Sequence, residues 1–110
     1  DILEFLKNSK KNSYDIVVAA DVFVYFSDLG EVFSQVNRVL CNGGIFTFSL
    51  EKSESDQIEL SISGRYKHSQ GYVEKLLDSL GFKVSYFENL IIRVEHDNPN
   101  EGFLFCLQSA

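Results

Sequence analysis

Apolar side chains along this sequence change their spacing several times, and each change marks an element. Ile2, Leu3, Phe5 and Leu6 recur at helical spacing and give way to the polar, lysine-rich stretch Lys7 to Ser13, which predicts a short helix and a loop. Tyr14 to Ala20 is then a near-continuous apolar run rich in β-branched residues, the pattern of a strand buried on both faces of a parallel sheet, and it ends at Asp21. Asp28 followed by Glu31 resembles a capping box, after which Leu29, Val32, Phe33, Val36, Val39 and Leu40 share one helical face. That helix is expected to stop at Asn42-Gly43-Gly44, where glycine takes the left-handed conformation that ends helices.

Ile45 to Glu51 reads as a second buried strand, Lys52 to Gln57 as an exposed loop, and Ile58 to Ile62 as a short alternating strand. Gly64-Arg65-Tyr66-Lys67-His68 breaks the alternation. Ser69 suits the cap of a helix whose inner stripe is Tyr72, Val73, Leu76, Leu77 and Leu80, closed by Gly81. Phe82 to Glu95 is a long strand candidate, His96 to Asn100 carries turn chemistry, and Phe103 to Leu107 is a final strand, the last two strands forming a hairpin. The order predicts an α/β fold of successive parallel crossovers with helices on both faces and one added antiparallel strand. Folds of this kind place ligands at the carboxyl ends of their strands, which directs attention to the segments after Ala20 and after Leu50.

Composition narrows the class. With 110 residues the chain is one domain at most, and its net charge of −6 argues against a nucleic-acid-wrapping protein. An apolar fraction of 45% supports a core, no run is long enough for a membrane span, and no signal-peptide order is seen at the start, so a soluble, cytoplasmic protein is expected. Cys41 and Cys106 read as reduced, packing thiols, and Glu54-Ser55-Asp56 has neither calcium nor zinc spacing, so no metal is assigned. The chain opens on Asp1 and runs straight into apolar positions, which reads as the cut start of a fragment.

Tyr14 to Asp21, together with Leu40-Cys41-Asn42-Gly43-Gly44 and the apolar strand that follows, resembles the class I S-adenosylmethionine-dependent methyltransferases. Gly64-Arg65-Tyr66-Lys67-His68-Ser69 is similar to a segment of their small-molecule group, some of whose members are joined to tetratricopeptide repeats. The resemblance implies the C-terminal half of a Rossmann-like domain over residues 1–110, from the fourth strand to the seventh, with the last strand antiparallel. Asn42 stands where that family usually has proline, and the family's glycine-rich first motif is absent from the sequence.

The resemblance also implies roles. S-adenosylmethionine would be the cofactor and a small molecule the substrate, with Asp1 and Ile2 on the adenine side and Ala20, Asp21, Val22 and Phe23 lining the methionine and methyl side. Asp1 has a second reading as a helix N-cap, and Asp21 as a strand-ending turn. Phe23 and Tyr25 are aromatic candidates for cation–π contact with a sulfonium, or core fillers. His68 and Tyr66 are the catalytic candidates, His68 because its ordinary pKa suits a base near neutral pH, with a surface histidine as the alternative. Tyr25, Glu51 and Arg65 are assigned to the substrate side. The competing function is a non-catalytic, methyltransferase-like remnant serving assembly. Either way, Tyr14 to Ala20 would expose an edge with no charge between Ile16 and Ala20, and self-association through it is expected.

Overall fold

The computed structural model describes residues 1–61, 63–95 and 97–110. The end of the expected strand at Ile62 and the turn residue His96 lie outside them. Helix α1 (Ile2–Asn8) begins at Asp1, whose carboxylate accepts from the Leu3 N–H at 2.8 Å. Its far end is capped from another helix, where the Arg38 guanidinium donates to the carbonyls of Leu6 and Ser9 at 2.7 and 2.8 Å.

Four long strands form one sheet in the order β1 (Tyr14–Ala19), β2 (Leu40–Glu51), β6 (Asn98–Gln108), β5 (Lys83–Glu95). β1 and β2 run parallel, with Val17 beside Phe46 and Ala19 beside Phe48. β6 lies antiparallel between β2 and β5, so the expected terminal hairpin forms and its last strand inserts next to β2. The hairpin's turn is tighter than the run of turn-forming residues suggested. Asn98, Pro99 and Asn100 already pair with Glu95, Val94 and Arg93, and Asp97 is left-handed, with φ 64°.

The core lies on one side of this sheet. Phe46, Phe48 and Leu50 of β2 and Phe103, Phe105 and Leu107 of β6 are at most 1% exposed. They pack with Val32, Phe33, Val36 and Val39 of α2 (Gly30–Val39) and with Val73 and Leu77 of α3 (Gln70–Ser79). Leu6 of α1 joins the same cluster. Helices on both faces were expected; instead, all three described helices share one layer. Ile16 (58% exposed) and Val18 (68%) alternate with the inward-facing Val17 and Ala19, so β1 is not buried on both faces. A continuous apolar run cannot reveal which of its two faces is covered.

Two helix ends also differ from expectation. α2 ends at Val39 rather than at the glycines, because Leu40 is already extended and enters β2 directly. Gly43 (φ 77°) and Gly44 serve a bulge in β2 where the pairing with β1 shifts register, and a side chain on Gly44 would lie 2.9 Å from the Cys41 carbonyl oxygen. At its start, Asp28 accepts from the Gly30 N–H at 2.8 Å, but Glu31 turns to Lys7 in an exposed pair at 2.6 Å, so no reciprocal box forms. α3 follows expectation: the Ser69 side chain accepts from the Tyr72 N–H at 3.2 Å and Gly81 closes the helix with φ 81°.

Between β2 and α3 the expected strand shrinks to β3 (Glu59–Leu60), which pairs antiparallel with β4 (Tyr66–Lys67). The segment that interrupts the alternation is therefore the partner strand of a small hairpin. Its turn is closed by Ser61 N–H to Arg65 C=O at 2.9 Å and Gly64 N–H to Ser61 C=O at 3.0 Å.

Candidate active site

The carboxyl ends of β1 and β2 lie side by side, and the small hairpin is stitched to the end of β2 through the backbone. The His68 N–H donates to the Glu51 carbonyl and the Ser53 N–H to the His68 carbonyl, both at 2.9 Å. The chain leaves β1 through Asp21, whose φ of 60° is left-handed, and enters a short 3-10 turn over Phe23–Tyr25. Aspartate tolerates that conformation better than most residues, and such strain tends to mark functional sites.

Arg65 organises this corner. Its Nε donates to Glu51 Oε2 at 2.7 Å, its Nη1 to the Tyr25 hydroxyl at 3.1 Å, and its Nη2 pairs with Asp21 Oδ1. The guanidinium carbon also sits 5.3 Å from the centre of the Tyr25 ring. Glu51 is 1% exposed, so one partner of this ion pair is fully withdrawn from water. Burial works against the charge on Arg65, but the Glu51 hydrogen bond and the nearby Asp21 carboxylate outweigh it and hold the guanidinium above its ordinary pKa. Four residues singled out in the sequence, Asp21, Tyr25, Glu51 and Arg65, thus meet in one cluster. Ser49, which the sequence reading passed over, supports it by accepting from the Asp21 N–H at 3.3 Å.

His68 is not a surface histidine. Its side chain is fully buried, its ring lies nearly parallel to that of Tyr72 with centres 6.3 Å apart, and Nε2 is 2.8 Å from the Phe26 carbonyl oxygen. With Nε2–H donating to that carbonyl, Nδ1 carries the lone pair, and it has no partner among the described residues. Burial pushes the imidazole below its ordinary pKa, more strongly than the carbonyls of Phe26 and Ser27 raise it. Tyr66 is half-buried on β4.

Of the remaining candidates, Phe23 is 1% exposed and packs its ring against Phe33 and Phe48, with centres 5.1 and 5.7 Å apart. Its ring is core, the second of its two readings, and is not open to stack on a sulfonium. Ala20 and Asp21 are exposed and Val22 half-buried. Asp1 caps α1, and Ile2 lines an open groove of about 240 Å³ with Phe5, Tyr14, Ile16 and Val18. Among the described residues, no helix is long and apolar enough to cross a membrane.

Residues 3–48, from α1 into β2, match the family model of a methyltransferase domain. No curated protein matches the chain by sequence. Among solved structures, an S-adenosylmethionine-dependent methyltransferase from Methanosarcina mazei is 14% identical with a TM-score of 0.77, over 93% of this chain and 62% of its own. The chain has the class I methyltransferase fold. Phosphoethanolamine N-methyltransferase 2 of Haemonchus contortus, in complex with phosphomonomethylethanolamine and S-adenosylhomocysteine, matches at 16% identity and TM-score 0.76, over 99% of this chain and 36% of its own. The cyclase SpnF matches at 12% and 0.77, over 93% and 53%. This chain therefore spans about a third to three-fifths of the length of these methyltransferase-fold proteins. At such identities the likeness is one of fold, and the presence of a cyclase means that the reaction must be argued from the site.

Proposed function

We propose that this chain supplies the acceptor-side, C-terminal part of a cytoplasmic S-adenosylmethionine-dependent methyltransferase acting on a small molecule. The observation that carries the reading is the Asp21–Arg65–Glu51–Tyr25 cluster at the carboxyl ends of β1 and β2, within and just beyond the segment that matches the methyltransferase family model. The residues present fit part of the cofactor. The apolar groove beside Ile2 suits an adenine face, Asp1, next to Ile2 in the chain, carries a carboxylate that here caps α1, and the backbone of Ala20 to Val22 suits the methionine end. Bound S-adenosylmethionine supplies an electrophilic methyl group whose transfer leaves a neutral thioether.

The chain's own residues align and exclude water, the main sources of rate enhancement in such a transfer. Tyr25, exposed on one face and anchored through its hydroxyl, forms a wall for the acceptor. Where the acceptor must lose a proton, the half-buried Tyr66 hydroxyl is the group placed to relay it, and Nδ1 of His68, enclosed in this structure, serves as the base only when the segment over it opens. Calorimetric titration tests the reading. Residues 1–110 alone are expected to bind S-adenosylmethionine no tighter than millimolar, because the sequence contains no glycine-rich loop to hold the methionine. A longer chain that adds such a loop and then binds and methylates supports the proposal; micromolar binding by residues 1–110 contradicts the division of the site.

The exposed edge β1 favours a second reading as an assembly module. Ile16 and Val18 lie open on a strand with an unpaired edge and no charge between Ile16 and Ala20. Such edges recruit other chains. Residues 1–110 are expected to sediment as a dimer or larger species at tens of micromolar, and Val18→Lys to shift them to monomer. A wild-type monomer at that concentration would dismiss association through this strand.

A further inference from the structure

Arg65 stands in the turn of the β3–β4 hairpin, yet its three nitrogens reach three other segments: the end of β1 at Asp21, the 3-10 turn at Tyr25 and the end of β2 at Glu51. Its side chain is 10% exposed and each nitrogen meets a protein acceptor, so it is poorly placed to receive a substrate. We propose that Arg65 is a positioning residue: it clamps the hairpin across the strand ends and fixes Tyr25 and Asp21 as the rigid wall of the acceptor site. The role of that wall rests on the methyltransferase reading; the clamp does not.

The charge arrangement makes the clamp specific. Two carboxylates face one guanidinium, and Glu51 has no route to water while the hairpin is closed. Without the cation, an unpaired carboxylate would remain in the core, a state that proteins relieve by opening or by taking up a proton. The Tyr25 ring is 62% exposed but held at its hydroxyl, so losing Arg65 frees the ring as well as the hairpin. Asp21 in turn loses the ion pair that holds its left-handed backbone.

Hydrogen exchange on the purified chain tests this. The relevant amides are Ser61, Gly64 and His68 of the hairpin, Ser53 at its junction, and Phe26 after the turn, all hydrogen-bonded in the closed form. Arg65→Met is expected to accelerate them by roughly a hundredfold or more relative to wild type, the loss expected when one partner of a buried pair is removed, while amides of β6 opposite Phe46 and Phe48 hold their protection. Adding Glu51→Gln should restore most of the protection, since no buried charge is then left unpaired. Should Arg65→Met fail to fold, Arg65→Lys, which keeps the charge but not the fork, is expected to show an intermediate acceleration. Hairpin exchange unchanged in Arg65→Met or Arg65→Lys, or a double variant as open as the single, overturns the clamp. If the exchange pattern holds but no methyl transfer is found in any longer chain, the clamp stands and the acceptor role of Tyr25 falls.

Discussion

Phe48→Ala is expected to lower stability by about 3–5 kcal/mol, the range for truncating a buried phenylalanine, and so to remove a large share of the roughly 5–15 kcal/mol that holds a domain of this kind folded. Phe48 is 1% exposed and its ring meets four others: Phe33 and Phe46 at 4.9 and 4.8 Å between centres, and Phe105 and Phe23 at 5.3 and 5.7 Å. It thereby joins α2, β2, β6 and the 3-10 turn in one contact. A cavity there loosens Phe23, and with it the turn that carries Tyr25 and the loop that begins at Asp21. Urea unfolding monitored by circular dichroism reads the stability, with Phe48→Leu as the milder variant. A loss below about 1 kcal/mol, the level of an ordinary surface change, would show that the aromatic cluster repacks freely and does not set the position of the site.

The elements with strong periodicity were legible in the sequence, and the cluster that they bring together was legible only as separate names. α2, α3 and the strands β1, β2, β5 and β6 follow from spacing alone, because their apolar stripes face a common layer of phenylalanines. Glycine was over-read at Gly43 and Gly44, since the same left-handed freedom serves a strand bulge as well as a helix end. Tyr66 and Lys67 looked irregular because a two-residue strand leaves no alternation to detect. Asp21, Tyr25, Glu51 and Arg65 were each singled out, yet nothing local announces that Arg65 turns toward two carboxylates. That choice depends on where the hairpin lands, which is a tertiary fact. His68 shows the same limit from the other side: its sequence neighbours are polar, but the Phe26 carbonyl and the Tyr72 ring close over it.

That enclosure gives His68 a distinct signature in the acid range. Its side chain is wholly buried, and protonation would place a second N–H at Nδ1 with no acceptor among the described residues. Burial accordingly depresses its pKa in the folded chain, while in the unfolded chain it titrates near the ordinary value of about 6.5. Between the depressed value and about 6.5 the unfolded state holds the extra proton, so its contribution to stability is complete above about pH 6.5 and is lost as pH falls through that window. The slope should approach 1.4 kcal/mol per pH unit at most, and it should flatten once the folded histidine is also protonated. Carboxylates add their own acid limb at lower pH, so the measurement is a difference between wild type and His68→Gln, whose amide can still donate to Phe26 but does not titrate. The two urea midpoints are expected to keep a constant separation above about pH 6.5 and to change relative to each other as pH falls below it, with wild type losing ground. Parallel midpoints from pH 7.5 to 5, the interval that brackets the ordinary imidazole pKa, would mean that the ring finds a proton acceptor when charged, and that the 20–29 loop moves to provide it.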